Sequence, residues 1–275
     1  MPRRLLVRLP APPGATHPAG DRPAGPVTGP SVRAWPGPET PALDVAALTA
    51  RYPRNPEPTL RVNFVASLDG AVAVDGFSAG LSGPADKLIF GTLRMLCDAL
   101  VVAAGTVRAE KYDALRLSPA RREWRRAQGL PEFPLMVVVS RTLDLDPAQE
   151  IFSDAPVRPI ILTCGAAPAE RRAALDPVAE LVTVGQREVD LAAGLAALHA
   201  RGATQVLCEG GPVLFGALTA ADLVDELCLT VSPLLVGGTV GRIAAGPPGP
   251  PRAMSLRGIL SADDMLFLRY ARSRP

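Results

Sequence analysis

The sequence predicts an α/β domain of three layers, with a central mixed and mostly parallel sheet covered by helices on both faces. Three observations carry that expectation. Strand-like and helix-like segments alternate from Leu60 onward. Several strand candidates, such as Met136-Val137-Val138-Val139, are nearly continuous apolar runs, as expected of strands covered on both faces. The last strand candidates follow one another with no long helical pattern between them, which puts antiparallel pairing at one sheet edge.

Residues 1–58 read as a Pro/Gly-rich arm, partly irregular, ahead of a domain spanning 59–275. The stretch Pro10–Pro41 is dense in proline and poor in large apolar residues. Within the arm, Leu43–Arg51 reads as a short helix to which Asp44 can contribute an N-terminal cap. Candidate strands follow at Leu60–Ala66, Ala99–Ala103, Leu135–Val139, Pro159–Thr163, Leu181–Val184, Gln205–Cys208, Glu226–Ser232 and Met265–Ala271. Candidate helices fall at Pro84–Cys97, Thr106–Lys111, Pro168–Leu175, Leu191–Arg201 and Pro212–Ala220. Pro212 suits the first helical position, where its missing N–H would have had no partner. Gly246–Pro251 reads as a loop between the last edge elements.

Composition narrows the class. A chain of 275 residues, 48% hydrophobic, can bury a sizeable core in one large or two small domains. A formal charge of +2 is too small to argue for nucleic acid. Only Lys87 and Lys111 are lysines, so the abundant arginines look like a compositional bias and each carries less functional weight. Cys97, Cys164, Cys208 and Cys228 are widely spaced, no C-x-x-C occurs, and His17 and His199 are the only histidines. That argues against a metal site and for a reduced, cytoplasmic protein. The apolar runs are far short of a membrane span, and Arg3-Arg4 precede too short an apolar run for a signal peptide.

Three strand ends suggest ligand chemistry. Val206-Leu207-Cys208-Glu209-Gly210-Gly211-Pro212 is an apolar strand, a diglycine and a helix start. Free N–H groups and the positive end of the helix dipole then face a ligand, and no Cβ blocks its approach. At Ala104-Gly105-Thr106, backbone amides and a hydroxyl meet a helix start. At Val139-Ser140-Arg141, a hydroxyl and a guanidinium end a buried strand and could hold a ribose 2′-phosphate. Each has a bland alternative, since glycine at a strand–helix turn is commonly packing punctuation and Ser-Arg is commonly a solvated loop. G-x-G-x-x-G is absent, so this is not an ordinary dinucleotide fingerprint. Glu209, at the lip of the diglycine seat, suits a polar substrate better than a phosphate; its alternative is a charge stabilising the helix that follows.

Five ordered motifs carry a family resemblance between about Leu60 and Arg272: Arg61-Val62-Asn63-Phe64-Val65-Ala66-Ser67-Leu68-Asp69-Gly70, Gly80-Leu81-Ser82-Gly83-Pro84, Ala104-Gly105-Thr106-Val107-Arg108-Ala109-Glu110, Cys208-Glu209-Gly210-Gly211-Pro212 and Leu223-Val224-Asp225-Glu226-Leu227. Together they resemble the pyrimidine reductase domain of riboflavin biosynthesis. The resemblance implies a dihydrofolate-reductase-like fold and a homodimer. It also implies NADPH-dependent reduction of a 5-amino-6-(5-phosphoribosylamino)pyrimidine, in which hydride reaches the ribose C1 and opens the sugar to a ribityl chain. The zinc-binding H-x-E and P-C-x-x-C of the companion deaminase are not in this sequence, so a stand-alone reductase is expected.

The same resemblance implies site roles. Ala66 and Gly80 would lie near the nicotinamide. Gly105, Thr106 and Glu110 would flank the cofactor, and Glu110 the substrate also. Ser140, with Arg141, would meet the adenosine 2′-phosphate. Gly210, Gly211, Pro212, Val213 and Leu214 would open the pyrophosphate cradle. Ser78, Arg94 and Glu209 match substrate positions, Arg94 as partner of a substrate phosphate and Glu209 as acceptor from amino groups or hydroxyls. Asp69 is a second candidate acid beside Glu209, although Asp-Gly is also a strong turn signal. Two departures bear on the substrate. Asn63 stands where the family commonly carries Lys, and Lys111-Tyr112-Asp113-Ala114-Leu115-Arg116 departs from an Asp-Asp-Pro pattern and its substrate-binding Arg. A reductase of a related pterin or folate-like heterocycle and a non-catalytic NADP-binding paralogue stay open. Against the folate-like reading, no obvious buried acid follows the first strand, with Glu209 and Glu110 as the available substitutes.

Overall fold

The structure, a computed structural model, describes residues 42–110 and 112–273; the proline-dense stretch before them lies outside the described residues. The described residues from Leu43 onward belong to one compact unit. It opens with the expected short helix α1 (Val45–Ala50), whose cap is Asp44: Ala47 N–H donates to Asp44 Oδ1 at 2.7 Å. Leu48 and Tyr52 are buried in the domain core. Arg54 donates to the Leu96 carbonyl at 2.6 Å, which ties this segment to the end of α2.

The strands are β1 (Thr59–Ser67), β2 (Ala99–Ala103), β3 (Leu135–Val139), β4 (Ile160–Thr163), β5 (Glu180–Thr183), β6 (Gln205–Cys208), β7 (Glu226–Ser232), β8 (Met254–Ala262) and β9 (Met265–Arg272). Among the described residues they form one sheet in the order β5-β4-β3-β2-β6-β1-β7-β9-β8. Every pair from β5 to β7 is parallel. The β7–β9 and β8–β9 pairs are antiparallel, as the run of late strands predicts.

The remaining helices are α2 (Pro84–Leu96), α3 (Ala104–Ala109), α4 (Pro119–Ala127), α5 (Glu150–Ser153), α6 (Ala169–Leu175), α7 (Leu191–His199) and α8 (Pro212–Ala220). Alternate residues of each central strand enter different cores. Leu100, Val102, Met136, Val138 and Leu207 pack under α1, α2, α3, α5 and α6, while Val62, Val101, Val137, Val206 and Cys208 pack under α7 and α8. The three layers follow from that two-sided burial.

Three elements are not legible in the sequence. Edge strand β8 is largely exposed, and its register to β9 shifts between Leu256 and Gly258, so it shows no clean alternation. α5 is a single turn. α4 is arginine-rich and is fixed by a polar group: Arg125 is fully buried and donates to the carbonyls of Met95, Cys97 and Pro131 at 2.8, 2.6 and 2.7 Å. That guanidinium stitches α4 to the end of α2, a role that a polar residue's letter does not reveal.

Candidate active site

The candidate site residues gather at the carboxyl ends of the parallel strands. β6 enters the sheet late, between β2 and β1. The chain leaving β2 enters α3, whose Val107 packs on one sheet face; the chain leaving β6 enters α8, whose Leu214 and Phe215 pack on the other. Loops diverging to opposite faces leave a crevice at the change in strand order, the place where open α/β sheets take ligands.

The diglycine forms one wall of the crevice. Ala103 N–H donates to the Gly210 carbonyl at 2.7 Å and Glu209 N–H to the Val101 carbonyl at 3.1 Å, extending the β2–β6 pairing past the strand end. Gly210 has φ +88°, and a Cβ there would lie 2.6 Å from the Phe64 ring, so backbone conformation and space both require glycine. A Cβ on Gly211 would lie 2.8 Å from Thr106 Oγ1. The starts of α3 and α8 therefore approach each other with only a glycine's width between them. Pro212 occupies the first position of α8, and among the described residues nothing accepts from the Val213 or Leu214 N–H. Val213 is exposed, while the Leu214 side chain is in the core. These free amides at a helix start fit a phosphate-bearing cofactor.

Behind this wall, residues read separately in the sequence turn out to be partners. Arg94, on α2, grips Glu209 in a fork: Nε donates to Oε1 at 2.9 Å and Nη2 to Oε2 at 2.8 Å. The side chains are 13% and 3% exposed. The guanidinium also lies 4.1 Å from the Phe90 ring centroid and 5.2 Å from that of Tyr112, and its Nη1 is 3.6 Å from the exposed Asp113. Two readings are thereby revised. Glu209 spends its charge on Arg94 rather than on the start of α8, and the Arg94 guanidinium is already shared between Glu209 and Asp113.

Burial pulls the Arg94 guanidinium down, but the charge and hydrogen bonds of Glu209 hold it above its ordinary value. Burial pushes the Glu209 carboxyl up, Arg94 pulls it back, and nearby Asp86 pushes it up again. The two-pronged geometry is that of a carboxylate on a guanidinium, so the pair is ionised.

Asn63 is placed beside this pair. It follows Val62 of β1 as Glu209 follows Cys208 of β6, and Val62 and Cys208 are register partners. It is 7% exposed, and its Oδ1 accepts nothing among the described residues. A buried orphan acceptor costs free energy unless a ligand donor reaches it. Asp86, in the first turn of α2, is a buried acid that the sequence analysis did not single out. Its Oδ1 accepts from Thr230 Oγ1 at 2.7 Å and its Oδ2 from Ser82 Oγ at 2.6 Å. An acid at a helix start reads as dipole stabilisation, and only the packing of α2 on the sheet shows that it points inward.

The other predicted residues separate into groups. Ser78 N–H donates to Glu110 Oε1 at 3.1 Å, which joins the Ser78–Gly80 turn to the end of α3. Ala66 is buried near the end of β1. Gly105 is exposed in the first turn of α3. Ser140 is buried and its Oγ accepts from Leu143 N–H at 3.0 Å, so it braces the turn after β3. Arg141 stands outside, 3.6 Å from Glu188, with side chains 57% and 78% exposed; such a surface pair is weak and leaves the guanidinium available.

The carboxylate of Asp69, the second candidate acid, is taken up by hydrogen-bond donors of its own chain. It accepts from Ser67 Oγ, from Val236 N–H at 3.2 Å and from Gly237 N–H at 2.6 Å. The hydrogen bonds from Ser67 and from the Gly237 and Val236 amides lower its pKa to about 2, so it holds no proton near neutrality. It anchors the 234–237 loop to the turn after β1, and Leu68 N–H reinforces this by donating to the Leu234 carbonyl at 2.9 Å. The cysteines are equally unavailable as nucleophiles. Burial pushes the thiols of Cys97 and Cys208 up to about 12 and that of Cys228 to about 11.

A relative from Archaeoglobus fulgidus, a 2,5-diamino-6-ribosylamino-4(3H)-pyrimidinone 5′-phosphate reductase, is 32% identical over 182 residues, 66% of this chain and 83% of that protein. A reductase of the same name from Methanothermobacter thermautotrophicus is 35% identical over 186 residues, covering 67% and 82% of the two chains. The crystal structure of a pyrimidine reductase-like protein from Corynebacterium diphtheriae superposes with a TM-score of 0.74 at 26% identity, over 85% of this chain and 96% of that one. The profile of the RibD C-terminal domain matches residues 58–267, and the chain belongs to that family.

Proposed function

We propose that this chain is an NADPH-dependent reductase of a 5-amino-6-(5-phosphoribosylamino)pyrimidine, converting its ribose to a ribityl chain. The observation that carries the reading is the crevice itself. One wall offers free amides and a glycine-only surface, and the Arg94–Glu209 pair with the orphan Asn63 acceptor lies behind it. Relatives at 32% and 35% identity bear the name of that activity.

The cofactor, when bound, supplies the hydride. This chain's residues do the positioning, which dominates a hydride transfer. Gly210, Gly211, Val213 and Leu214 receive the pyrophosphate through backbone, and Thr106 limits the gap from the other side. Arg141, over the brace of Ser140, meets the 2′-phosphate. Asn63 Oδ1 accepts from an amino group of the pyrimidine. Glu209, held rigid by Arg94, presents remaining lone pairs to amino or hydroxyl groups. Hydride at C1 with a proton at the ring oxygen breaks the C1–O bond and leaves the ribityl product.

The test incubates the protein with NADPH and the ribosylaminopyrimidine phosphate. A product heavier by one hydride and one proton is expected, with equimolar NADPH oxidation; cofactor binding without that product rejects the reading. A second reading, reduction of a pterin-like heterocycle, gains from Asp86, a buried acid that adds to the substitutes Glu209 and Glu110 read from the sequence. NADPH oxidation with a dihydropterin, abolished in Asp86→Asn, would select it.

A homodimer is part of the proposal, with exposed Leu234 and Leu235 available to an interface, and sedimentation tests it. Four free buried thiols suit the reducing cytoplasm that the proposal assigns. Among the described residues no helix is long and apolar enough to cross a membrane.

A further inference from the structure

Edge strand β8 carries one residue too many for its partner. Leu256 pairs with Tyr270 and Gly258 with Arg269, so Arg257 has no counterpart on β9. A bulge of this kind takes a side chain out of the regular alternation and re-aims it. Arg257 is exposed, and among the described residues nothing accepts a hydrogen bond from its guanidinium. It lines an open cleft of about 420 Å³ between the 55–58 segment and the β7-β9-β8 edge of the sheet. The cleft is at the end of the sheet away from the crevice: Thr59 and Glu226, the first residues of β1 and β7 in chain order or next to it, are in its wall. Asn63 stands four residues further along β1, about 13 Å at the rise of a strand. No residue assigned above to cofactor or substrate lines the cleft.

The charges around it do not balance. Glu226 lies between two guanidinium groups, Arg61 and Arg269. Asp222 lies between two more, Arg252 and Arg272. Each cluster holds two cations for one anion. Arg257 adds a further positive charge, while Asp225 and the exposed Glu57 offset two. The charged lining groups and their ion-pair partners are therefore five arginines against four acids. The walls suit more than a bare ion. The volume is many times the roughly 30 Å³ share of one water molecule and falls in the range of small-molecule pockets. Pro56, Pro58 and Ala271 give it an apolar side. A guanidinium fork, for its part, matches phosphate oxygens two at a time.

We propose that this cleft is a second ligand site, for an organic phosphate monoester of nucleotide size. Arg257 meets the phosphate, Arg269 and Arg272 supply the positive field behind it, and the proline side takes the organic body. The site is built from β8, β9 and the 55–58 segment, and it stands whether or not the crevice performs the reduction proposed above.

Calorimetry on the full chain, with the crevice saturated by NADPH, tests this with adenosine 5′-monophosphate, adenosine and inorganic phosphate as probes. The monophosphate should bind the wild-type protein more tightly than either fragment. It should lose on the order of 10-fold in affinity in Arg257→Gln, the loss of a charge-assisted contact. Arg257→Lys should recover part of that loss. Glu57→Gln removes a competing acid and should tighten binding, a gain that damage to the fold cannot imitate. NADPH affinity should be unchanged in all three variants. Adenosine or inorganic phosphate binding as tightly as the monophosphate overturns an organic phosphate site. No binding, or equal binding to wild type and Arg257→Gln, overturns the cleft as a site, and displacement of NADPH by the monophosphate assigns the binding to the crevice instead. Sedimentation covers the other occupant: a dimer that dissociates in Arg257→Gln, with no monophosphate bound by wild type, makes this face an interface between two copies and rejects the proposal.

Discussion

The Arg94–Glu209 pair separates structural from catalytic importance if it is dismantled in steps. Its two hydrogen bonds, at 2.9 and 2.8 Å, join side chains that are 13% and 3% exposed. Removing one partner leaves the other charge buried, which costs about 3–5 kcal/mol. Glu209→Gln and Arg94→Gln should therefore each lose about that much in urea unfolding. The double variant buries two neutral amides, and its loss should fall short of the sum by about 2–3 kcal/mol. Turnover should not follow the same rule. If Glu209 orients substrate, the double variant stays slow despite its recovered stability, with NADPH affinity unchanged in a fluorescence titration. Additive stability losses would refute the buried pair. Recovery of turnover together with stability would refute a substrate role for Glu209 and leave it a scaffold residue.

Other outcomes follow from the same geometry. Gly211→Val should abolish NADPH binding, because even its Cβ would lie 2.8 Å from Thr106 Oγ1; cofactor quenching of protein fluorescence measures it. Arg141→Ala should weaken NADPH much more than NADH, and equal losses would remove the 2′-phosphate assignment. Glu226 accepts from Arg61 Nε at 2.8 Å and Arg269 Nη2 at 2.7 Å. Although burial pushes its carboxyl up, those two arginines bring it from 4.5 down to about 2. A depressed carboxyl stabilises the fold above its unfolded pKa, so about 3 kcal/mol present at pH 6 should be lost as pH falls from 4.5 toward 2. Unfolding curves of wild type and Glu226→Gln should converge over that window; parallel curves would contradict the assignment.

The sequence made the parallel core legible because burial on both faces leaves continuous β-branched runs, as in Met136–Val139. It also made the diglycine wall legible, since a glycine pair between strand and helix has few other uses. What it hid were relations set by the sheet order. Arg94 and Glu209 are 115 residues apart, and nothing in either neighbourhood announces the other. Asp86 carries no signal of its own in the sequence, since an acid in a first helical turn commonly serves the dipole, and only the packing of α2 on the sheet turns it inward. Asp69 reads from the sequence as acid or turn, and its bonds to the Val236 and Gly237 amides, 167 and 168 residues away, are a third arrangement that no local pattern announces. α4 and β8 were missed for the opposite reason: one is held by a buried arginine and the other is mostly solvated, so hydrophobic periodicity has little to report.

The late entry of β6 between β2 and β1 bears on how the chain acquires its shape. Among the described residues the strand neighbours of β1 come from the far end of the sequence: Leu60 pairs with Val206, and Val62 with Leu227. Such distant pairings close long loops and are reached slowly. During synthesis, β2, β3, β4 and β5 can pair among themselves while β1 waits, its two flanks open, until both β6 and β7 have emerged. The crevice walls are therefore among the last parts to meet, and a nascent chain ending before Ser232 lacks a completed ligand seat.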